Sequence, residues 1–275
     1  MILVAILVGT LAAGIGSVWL AALLSFGALA RYTQHMLSLA AGALMATAFM
    51  HLLPEAFESQ AGAKELFATL LVGLVFFFLL DKAELWHHGH EHHDGEHHEP
   101  AQPDHGAHAH HHHRHDHHHP ADGKKSGGWA VLAGDSVHAF GDGILIASAF
   151  MADLRLGAVA ALAVLVHEVP HHMGDLVVLR QSSNNNRRAA VVKVSLAGAV
   201  TALGGMIGYA LVDKLYDYLP FFLIIASSSF IYVALADLIP QLQKRVTARE
   251  TAAQIAWLLI GIGMVTLISG LAHGH

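Results

Sequence analysis

The sequence predicts an all-α polytopic membrane protein, and two of its features support that fold class. Of the 275 residues, 54% are hydrophobic and only 13% are charged, whereas soluble proteins carry about 25% charged residues. Apolar runs of about 20 residues recur along the chain, and each is long enough to cross a bilayer as a helix. There is no cysteine, which excludes disulfides, thiolate metal ligands and cysteine nucleophiles.

Residues 1–85 are predicted to form the first three transmembrane helices. The first runs from Ile2 to about Ala30. It lacks the preceding positive charge of a signal peptide and is longer than a signal peptide's apolar region, so we interpret it as a retained helix. The second runs from about Met36 to Phe57. The third, from about Ala63 to Leu80, is almost purely apolar and is expected to face lipid.

A histidine-rich segment separates the third helix from the fourth. Residues 86–128 hold 17 of the 25 histidines, mixed with Asp, Glu and Gly. Such a composition cannot bury a core, so we predict a disordered loop. The tract is internal and irregular, which argues against a purification tag. Histidine-rich tracts bind transition metals weakly, so the predicted role is metal capture and buffering.

The fourth and fifth helices, from about Trp129 to Met151 and from about Gly157 to Leu179, carry ionisable groups near their middles. An ionisable side chain at that depth costs about 2.5–3.5 kcal/mol on insertion. Clusters of them persist where they face a bundle interior, a water path or an ion. A purely structural role explains one such histidine well, but it does not explain six ionisable groups at matching depth.

The spacing of these groups places them in pairs on helix faces. Residues four apart stack on one face, and this relation joins His138 to Asp142, His167 to His171, and Glu168 to His172. Imidazole and carboxylate ligands suit a borderline divalent cation such as zinc. We therefore predict a metal site between the two helices.

Three further helices complete the second membrane segment, residues 129–275. They run from about Ala189 to Val212, from about Leu219 to Leu242, and from about Ala252 to Ala272. Eight helices place both termini on one side. Twelve of the 15 Lys and Arg residues fall in the loops after helices one, three, five and seven; the other three are Lys64, Arg155 and Lys214. The positive-inside rule then predicts extracytoplasmic termini and a cytoplasmic histidine-rich loop.

Two motifs resemble the signatures of one transporter family. His138-Ala139-Phe140-Gly141-Asp142-Gly143 resembles the H-N-x-x-D-G motif of the fourth helix in ZIP (Zrt-/Irt-like) metal transporters. His167-Glu168-Val169-Pro170-His171-His172 resembles the H-E-x-P-H-E motif of their fifth helix. The predicted topology and the histidine-rich loop match as well, so the resemblance covers the whole chain.

The resemblance implies an importer of divalent metal into the cytoplasm, zinc most of all, with Fe²⁺, Mn²⁺ and Cd²⁺ as further cargo. It implies alternating access, a homodimer in the cell (inner or plasma) membrane, and neither enzymatic activity nor nucleic-acid binding. It places the metal at or beside His138, Asp142, His167, Glu168 and His171. His172, one turn after Glu168, is a further candidate ligand. The expected path also includes His51, Glu55 and Asp153 on the outer side and Asp135 and Asp175 on the inner side.

The sequence departs from the family pattern at two positions. Ala139 replaces the family's Asn, and His172 replaces its second Glu. Both family residues help to hold a second metal in some members, and a second cation needs anionic ligands to offset repulsion between the ions. The expectation is therefore one tightly held metal, bound by the four residues His138, Asp142, His167 and His171, with Glu168 ligating or balancing charge.

Two other functions fit parts of the pattern. Residues 167–171 also match H-E-x-x-H, in which two histidines hold zinc and the Glu acts as general base of a metalloprotease. Pro170 bends the turn that must aim both histidines at one ion, and that function leaves His138 unexplained. The other alternative is a metal sensor or store built around the histidine-rich loop, with a transport-inactive core.

Overall fold

The structure is a computed structural model, and it describes residues 1–25, 33–89, 127–182, 186–242 and 247–273. Every regular element within those ranges is helical, which confirms the all-α class. The described residues form eight long helical segments: α1 Ile2–Leu24, α2 Thr33–Phe57, α3 Ala63–Gly89, α4 Gly127–Ala152, α5 Leu154–Ser182, α6 Arg187–Lys214, α7 Tyr216–Leu242 and α8 Ala248–His273.

Seven of these segments, all except α4, are long and apolar enough to cross a membrane. The chain is thus an integral membrane protein. α4 has 26 residues, which is sufficient length, but Asp135, His138 and Asp142 lower its hydropathy. The count of eight transmembrane helices and the side on which the termini lie therefore stay predictions.

The helix bounds differ from the predicted ones mainly at the end of α3. α3 continues to Gly89, so the first residues assigned to the histidine-rich loop extend a helix. The remainder of that loop, residues 90–126, lies outside the described residues, and so do residues 26–32 at the predicted end of the first helix. Loop disorder stays a prediction.

Two helices widen into a π-helical turn just before a proline. In α2 the π turn Ala48–Leu52 precedes Pro54, and in α7 the π turn Val233–Leu238 precedes Pro240. Proline has no N–H to donate to the carbonyl four residues earlier, so the local hydrogen-bond pattern must change. α5 continues through its internal Pro170 as one helix.

α4 and α5 form an antiparallel pair near the middle of the bundle, joined by a single residue, Asp153. α6 packs along α4, α1 packs against α5 and α6, and α2 packs against α5 and α8. α3 packs on α7 and leaves Phe67, Leu71 and Phe76 exposed. α3 thus lies at the outside of the described bundle, and its contact with lipid stays a prediction.

Glycines bring α4 and α6 into close contact. A Cβ added at Gly204 would meet the carbonyl oxygen of Phe140, and one added at Gly143 would meet the carbonyl oxygen of Thr201. Close backbone approach of this kind is the usual role of small residues between membrane helices. α6 packs against the glycine-containing face of α4, and the polar face of α4 contacts α5.

Apolar packing closes the α4–α5 pair on the side towards Asp153. Ile146, Phe150, Ala160 and Val164 are all buried there and belong to the largest apolar cluster of the described residues. The polar residues of both helices lie on the other side of this cluster, towards the beginning of α4 and the end of α5.

Candidate metal centre

The polar residues of α4 and α5 meet in reversed order because the helices are antiparallel. On α4, Asp135, His138 and Asp142 fall at i, i+3 and i+7 and therefore share one face. Asp142 lies opposite His167, whereas Asp135 lies opposite His172. The structure brings the six predicted metal residues, together with Asp135 and Asp175, into one continuous polar cluster.

The first ligand group lies nearer the apolar cluster and contains His138, Asp142, His167 and Glu168. Oε1 of Glu168 is 3.1 Å from Nε2 of His167 and 3.3 Å from Nε2 of His138. Oδ2 of Asp142 is 3.6 Å from Nε2 of His167. Two ligand atoms bound tetrahedrally to one zinc at its usual bond lengths are about 3.3 Å apart, so these atoms are spaced to share an ion.

The second ligand group lies nearer the beginning of α4 and contains Asp135, Glu168, His171 and His172. Nε2 of His172 is 3.2 Å from Oε2 of Glu168 and 3.6 Å from Oδ1 of Asp135. Nδ1 of His171 is 3.6 Å from Oδ1 of Asp135 and 3.4 Å from Oδ2 of Asp175. These separations also match a shared four-coordinate ion.

Glu168 belongs to both groups and presents one oxygen to each. Oε1 faces His138 and His167, and Oε2 faces His172. A single carboxylate thus joins two adjacent ligand sets. The structure divides the residues differently from the predicted single site, because His171 is placed with Asp135 and His172 and not with His138 and Asp142.

Six buried polar atoms that have no hydrogen-bond partner within the described part of the chain lie in these two groups. They are both carboxylate oxygens of Asp135, Oδ2 of Asp142, Nε2 of His167, Oε1 of Glu168 and Nε2 of His172. Each unsatisfied buried polar group costs about 1–3 kcal/mol. Their lone pairs converge at separations that suit a cation, and a bound cation would offset that cost.

Access to the cluster comes from its histidines. The side chains of His138 and His171 are 30% and 41% exposed, whereas those of Asp135, Asp142, His167, Glu168 and His172 are at most 4% exposed. Both groups are therefore largely buried, and each contains one partly exposed histidine.

Helix α1 contributes a contact that the sequence did not reveal. Oγ of Ser17 lies 3.0 Å from Nδ1 of His172, and both side chains are buried. The two residues are 155 positions apart in sequence, and Ser17 lies in an apolar run. No periodicity could have predicted the contact.

The expected outer path residues lie outside both groups. His51 lies 3.4 Å from the hydroxyl of Ser269 on α8. Glu55 is exposed. Asp153 accepts hydrogen bonds from the N–H groups of Arg155 and Leu156 at the start of α5, which is a capping role.

Ala139 is buried and offers no ligand. The family's Asn at this position is therefore missing from the second ligand group. Asp135 supplies that group with a carboxylate in addition to Glu168. Asp135 was recognisable in the sequence as the first member of the polar face of α4, but only the antiparallel contact assigns it to His171 and His172.

The sequence also matches a protein-family profile described as "ZIP Zinc transporter", over residues 1–269. The chain belongs to the ZIP zinc transporter family. This match covers almost the whole chain and both motif helices, so it confirms the resemblance seen in the motifs.

Individual ZIP relatives match about half of the chain. "Zinc transporter ZIP10" of Danio rerio is 34% identical over 149 residues, which are 51% of this chain and 17% of that protein. "Zinc transporter zipt-7.2" of Caenorhabditis elegans is 35% identical over 150 residues, 50% of this chain and 30% of that protein. "Zinc transporter ZIP4" of Homo sapiens is 31% identical over 137 residues, 50% and 20% respectively. The matched segments thus span less than a third of these relatives.

Proposed function

We propose that this ZIP protein carries zinc into the cytoplasm by alternating access through the cluster between α4 and α5. The observation that carries the proposal is the pair of buried ligand groups joined by Glu168. A carboxylate that faces both groups can keep one oxygen on the ion while the other ligands exchange. An ion can therefore pass from the first group to the second without returning to water.

The ligand types favour zinc. The two groups together contain four imidazoles and three carboxylates, and the sequence has no thiolate to offer. Mixed nitrogen and oxygen ligands at tetrahedral spacing are typical of zinc. Such ligands also accept Fe²⁺, Mn²⁺ and Cd²⁺, which we propose as further cargo. The matched relatives are named zinc transporters, and this favours zinc over the other three ions.

The number of carboxylates supports two adjacent metal positions in place of the one expected from the sequence. Two divalent ions close together need anionic ligands to offset their repulsion. Asp135, Asp142 and Glu168 lie within the groups, and Asp175 contacts His171. Four carboxylates can balance two Zn²⁺ ions, so the replacement of the family's Glu by His172 does not remove the charge that a second ion needs.

The shape of the site supports a conformation open towards the histidine-rich loop. His138 and His171 are partly exposed, whereas Ile146, Phe150 and Val164 pack tightly on the other side of the ligands. If the loop is cytoplasmic, this is the state that releases metal inward. A second state, with the apolar packing opened and the polar end closed, would receive metal from outside.

The protease alternative fits this geometry less well. In an H-E-x-x-H site both histidines bind the same zinc and the Glu activates water. Here His167 and His171 belong to different ligand groups, and Glu168 faces histidines on both sides. The arrangement supports Glu168 as a shared ligand and not as a general base.

Zinc flux into vesicles containing the purified full-length protein tests the proposal. We expect saturable uptake, reported by a trapped zinc indicator, and its loss in His171→Ala with the variant still folded. Tight zinc binding without any flux would instead support a store or sensor. Cleavage of a membrane-embedded peptide that depends on Glu168 would support the protease. Cytoplasmic placement of the loop and homodimer formation belong to the same proposal and are tested by sidedness and by cross-linking.

A further inference from the structure

We propose that Ser17 on α1 is a positioning residue for zinc binding, because its hydroxyl holds His172 in the tautomer that can bind metal. The inference rests on the proposed function, since it takes the group of Asp135, Glu168, His171 and His172 to hold zinc. It concerns a helix that lies outside the α4–α5 pair.

Two hydrogen bonds of Ser17 determine the tautomer of His172. Oγ of Ser17 lies 2.8 Å from the carbonyl oxygen of Gly14 and 3.0 Å from Nδ1 of His172. A carbonyl oxygen only accepts, and a hydroxyl has one proton to donate. Both hydrogen bonds can form together only if the Ser17 proton goes to Gly14 and His172 carries its proton on Nδ1 and donates it to Ser17.

This tautomer leaves Nε2 of His172 without a proton. Nε2 faces Oε2 of Glu168 at 3.2 Å and Oδ1 of Asp135 at 3.6 Å. Its lone pair therefore points into the second ligand group, where a cation can receive it. Metal-binding histidines almost always donate their other ring N–H in this way, and losing the acceptor typically costs 10–100-fold in metal affinity or activity.

Without Ser17, the surrounding carboxylates would favour the wrong tautomer. Glu168 and Asp135 both accept hydrogen bonds, so they stabilise a proton on Nε2 of His172 when nothing holds it on Nδ1. A histidine with that proton has no lone pair for zinc at Nε2. Ser17 thus opposes a preference that the ligand group itself creates.

The carbonyl that orients Ser17 is fixed by close backbone contact. Gly14 lies in the π-helical turn Ala12–Gly16 of α1. A Cβ on Gly14 would meet the carbonyl oxygen of Gly198 and the hydroxyl of Thr201 on α6. α1 can lie this close to α6 only with glycine here, so the Gly14 carbonyl has a defined position. π turns of this kind frequently occur at functional sites.

Zinc affinity of the full-length protein, measured by competition with a chromophoric chelator, tests the proposal. Histidine-rich loop sites contribute equally in all variants, so differences report the core. His172→Ala should remove zinc from one site of the core. We expect Ser17→Ala to lower the zinc affinity of that same site by about 10–100-fold, and Ser17→Thr to restore it. Ser17→Val, which matches Ser17→Thr in shape but has no hydroxyl, should reproduce the loss and replaces Ser17→Ala if that variant does not fold.

Two comparisons separate positioning from packing. Ser38 is also fully buried and its hydroxyl bonds a backbone carbonyl of its own helix, so Ser38→Ala is the matched control and should leave zinc affinity unchanged. In the His172→Ala background, Ser17→Ala should have no further effect. Additive losses, or equal losses in Ser38→Ala, would show a general packing effect and overturn the proposal.

Failure of this inference is distinguishable from failure of the proposed function. Unchanged affinity in Ser17→Ala, with a clear loss in His172→Ala, overturns the role of Ser17 and leaves the second group as a zinc site. Unchanged zinc binding and flux in both His172→Ala and Asp135→Asn would remove the second group from the transport path, and the inference with it.

Discussion

Asp135 is the residue that decides between one and two metal positions in the core. It lies with His171 and His172, and neither of its carboxylate oxygens has a hydrogen-bond partner within the described chain. The motif on α4 begins at His138 and so leaves Asp135 out. A count of the carboxylates within the two motifs therefore gives only Asp142 and Glu168. With Asp135 included, each ligand group has a carboxylate of its own in addition to the shared Glu168.

We predict that Asp135→Asn lowers the zinc content of the core by one ion per chain. Asn keeps the shape of the side chain but removes its charge, so the second position loses an anionic ligand while the first keeps Asp142. The measurement is metal content after equal dialysis of variant and wild-type protein. Asp217→Asn, the same change at an exposed position, should alter nothing. Equal zinc in Asp135→Asn and wild type would favour the single-metal site.

At the same scale, the sequence predicted which residues of α4 and α5 come together but not how they divide between the two ligand groups. The four-residue spacings on α4 and α5 are local, and both faces were predicted correctly. The division depends on the rotation and axial offset of two packed helices, which place His171 beside Asp135. Contacts of this kind between distant residues have no sequence period, and the Ser17–His172 contact has none either.

At the scale of the helices, close packing against α6 fixes the position of α4 in the bundle. Gly143 and Gly204 allow the two helices to approach until a Cβ on either would meet the other backbone. The sequence showed small residues on α6, a weak signal by itself. The structure shows that the small residues of α6 pack against α4, which carries Asp135, His138 and Asp142. The position of three ligands therefore depends on a helix that supplies none.

We predict that Gly204→Val destabilises the protein and impairs zinc uptake together. The added side chain would meet the carbonyl of Phe140, and overpacking a tight contact costs about 1–3 kcal/mol. Thermal unfolding in detergent and vesicle flux are the two measurements. Gly263→Ala on α8, where a Cβ meets nothing within 4 Å, is the control and should change neither. Normal flux in Gly204→Val would show that the ligands tolerate displacement of α4.

For the whole molecule, four histidines make zinc binding sensitive to pH. A free imidazole has a pKa of about 6.5, and its protonated form has no lone pair for metal. Protons therefore compete with zinc as the pH falls through that value. We predict that the zinc affinity of the core, measured in a variant that lacks the loop residues 90–119, falls by about tenfold or more per pH unit below it. Chelator competition between about pH 5 and 8 measures this, and a flat profile would argue that carboxylates alone bind the ion.

We infer that the whole bundle is closed on the apolar side of the site and open on its polar side. Ala160 is buried in the apolar cluster beyond the first ligand group. Gly174 is exposed beside Asp175, and a Cβ there meets nothing within 4 Å. Water should therefore reach position 174 but not position 160. Because the chain has no native cysteine, a single introduced thiol reports its own exposure without background.

We predict that a membrane-impermeant thiol reagent labels Gly174→Cys from the cytoplasmic side only and leaves Ala160→Cys unlabelled from either side. Labelling of Gly174→Cys is expected because the end of α5 should face the cytoplasm and the polar side of the site should be open to water. Protection of Ala160→Cys is expected because Ala160 is buried in the apolar cluster. Gly62→Cys, in the exposed turn between α2 and α3, should be labelled only from outside and serves as the sidedness control. If both exposed positions react from the opposite sides, the predicted topology is inverted. Labelling of Ala160→Cys from outside would show that the outward-open state is already well populated.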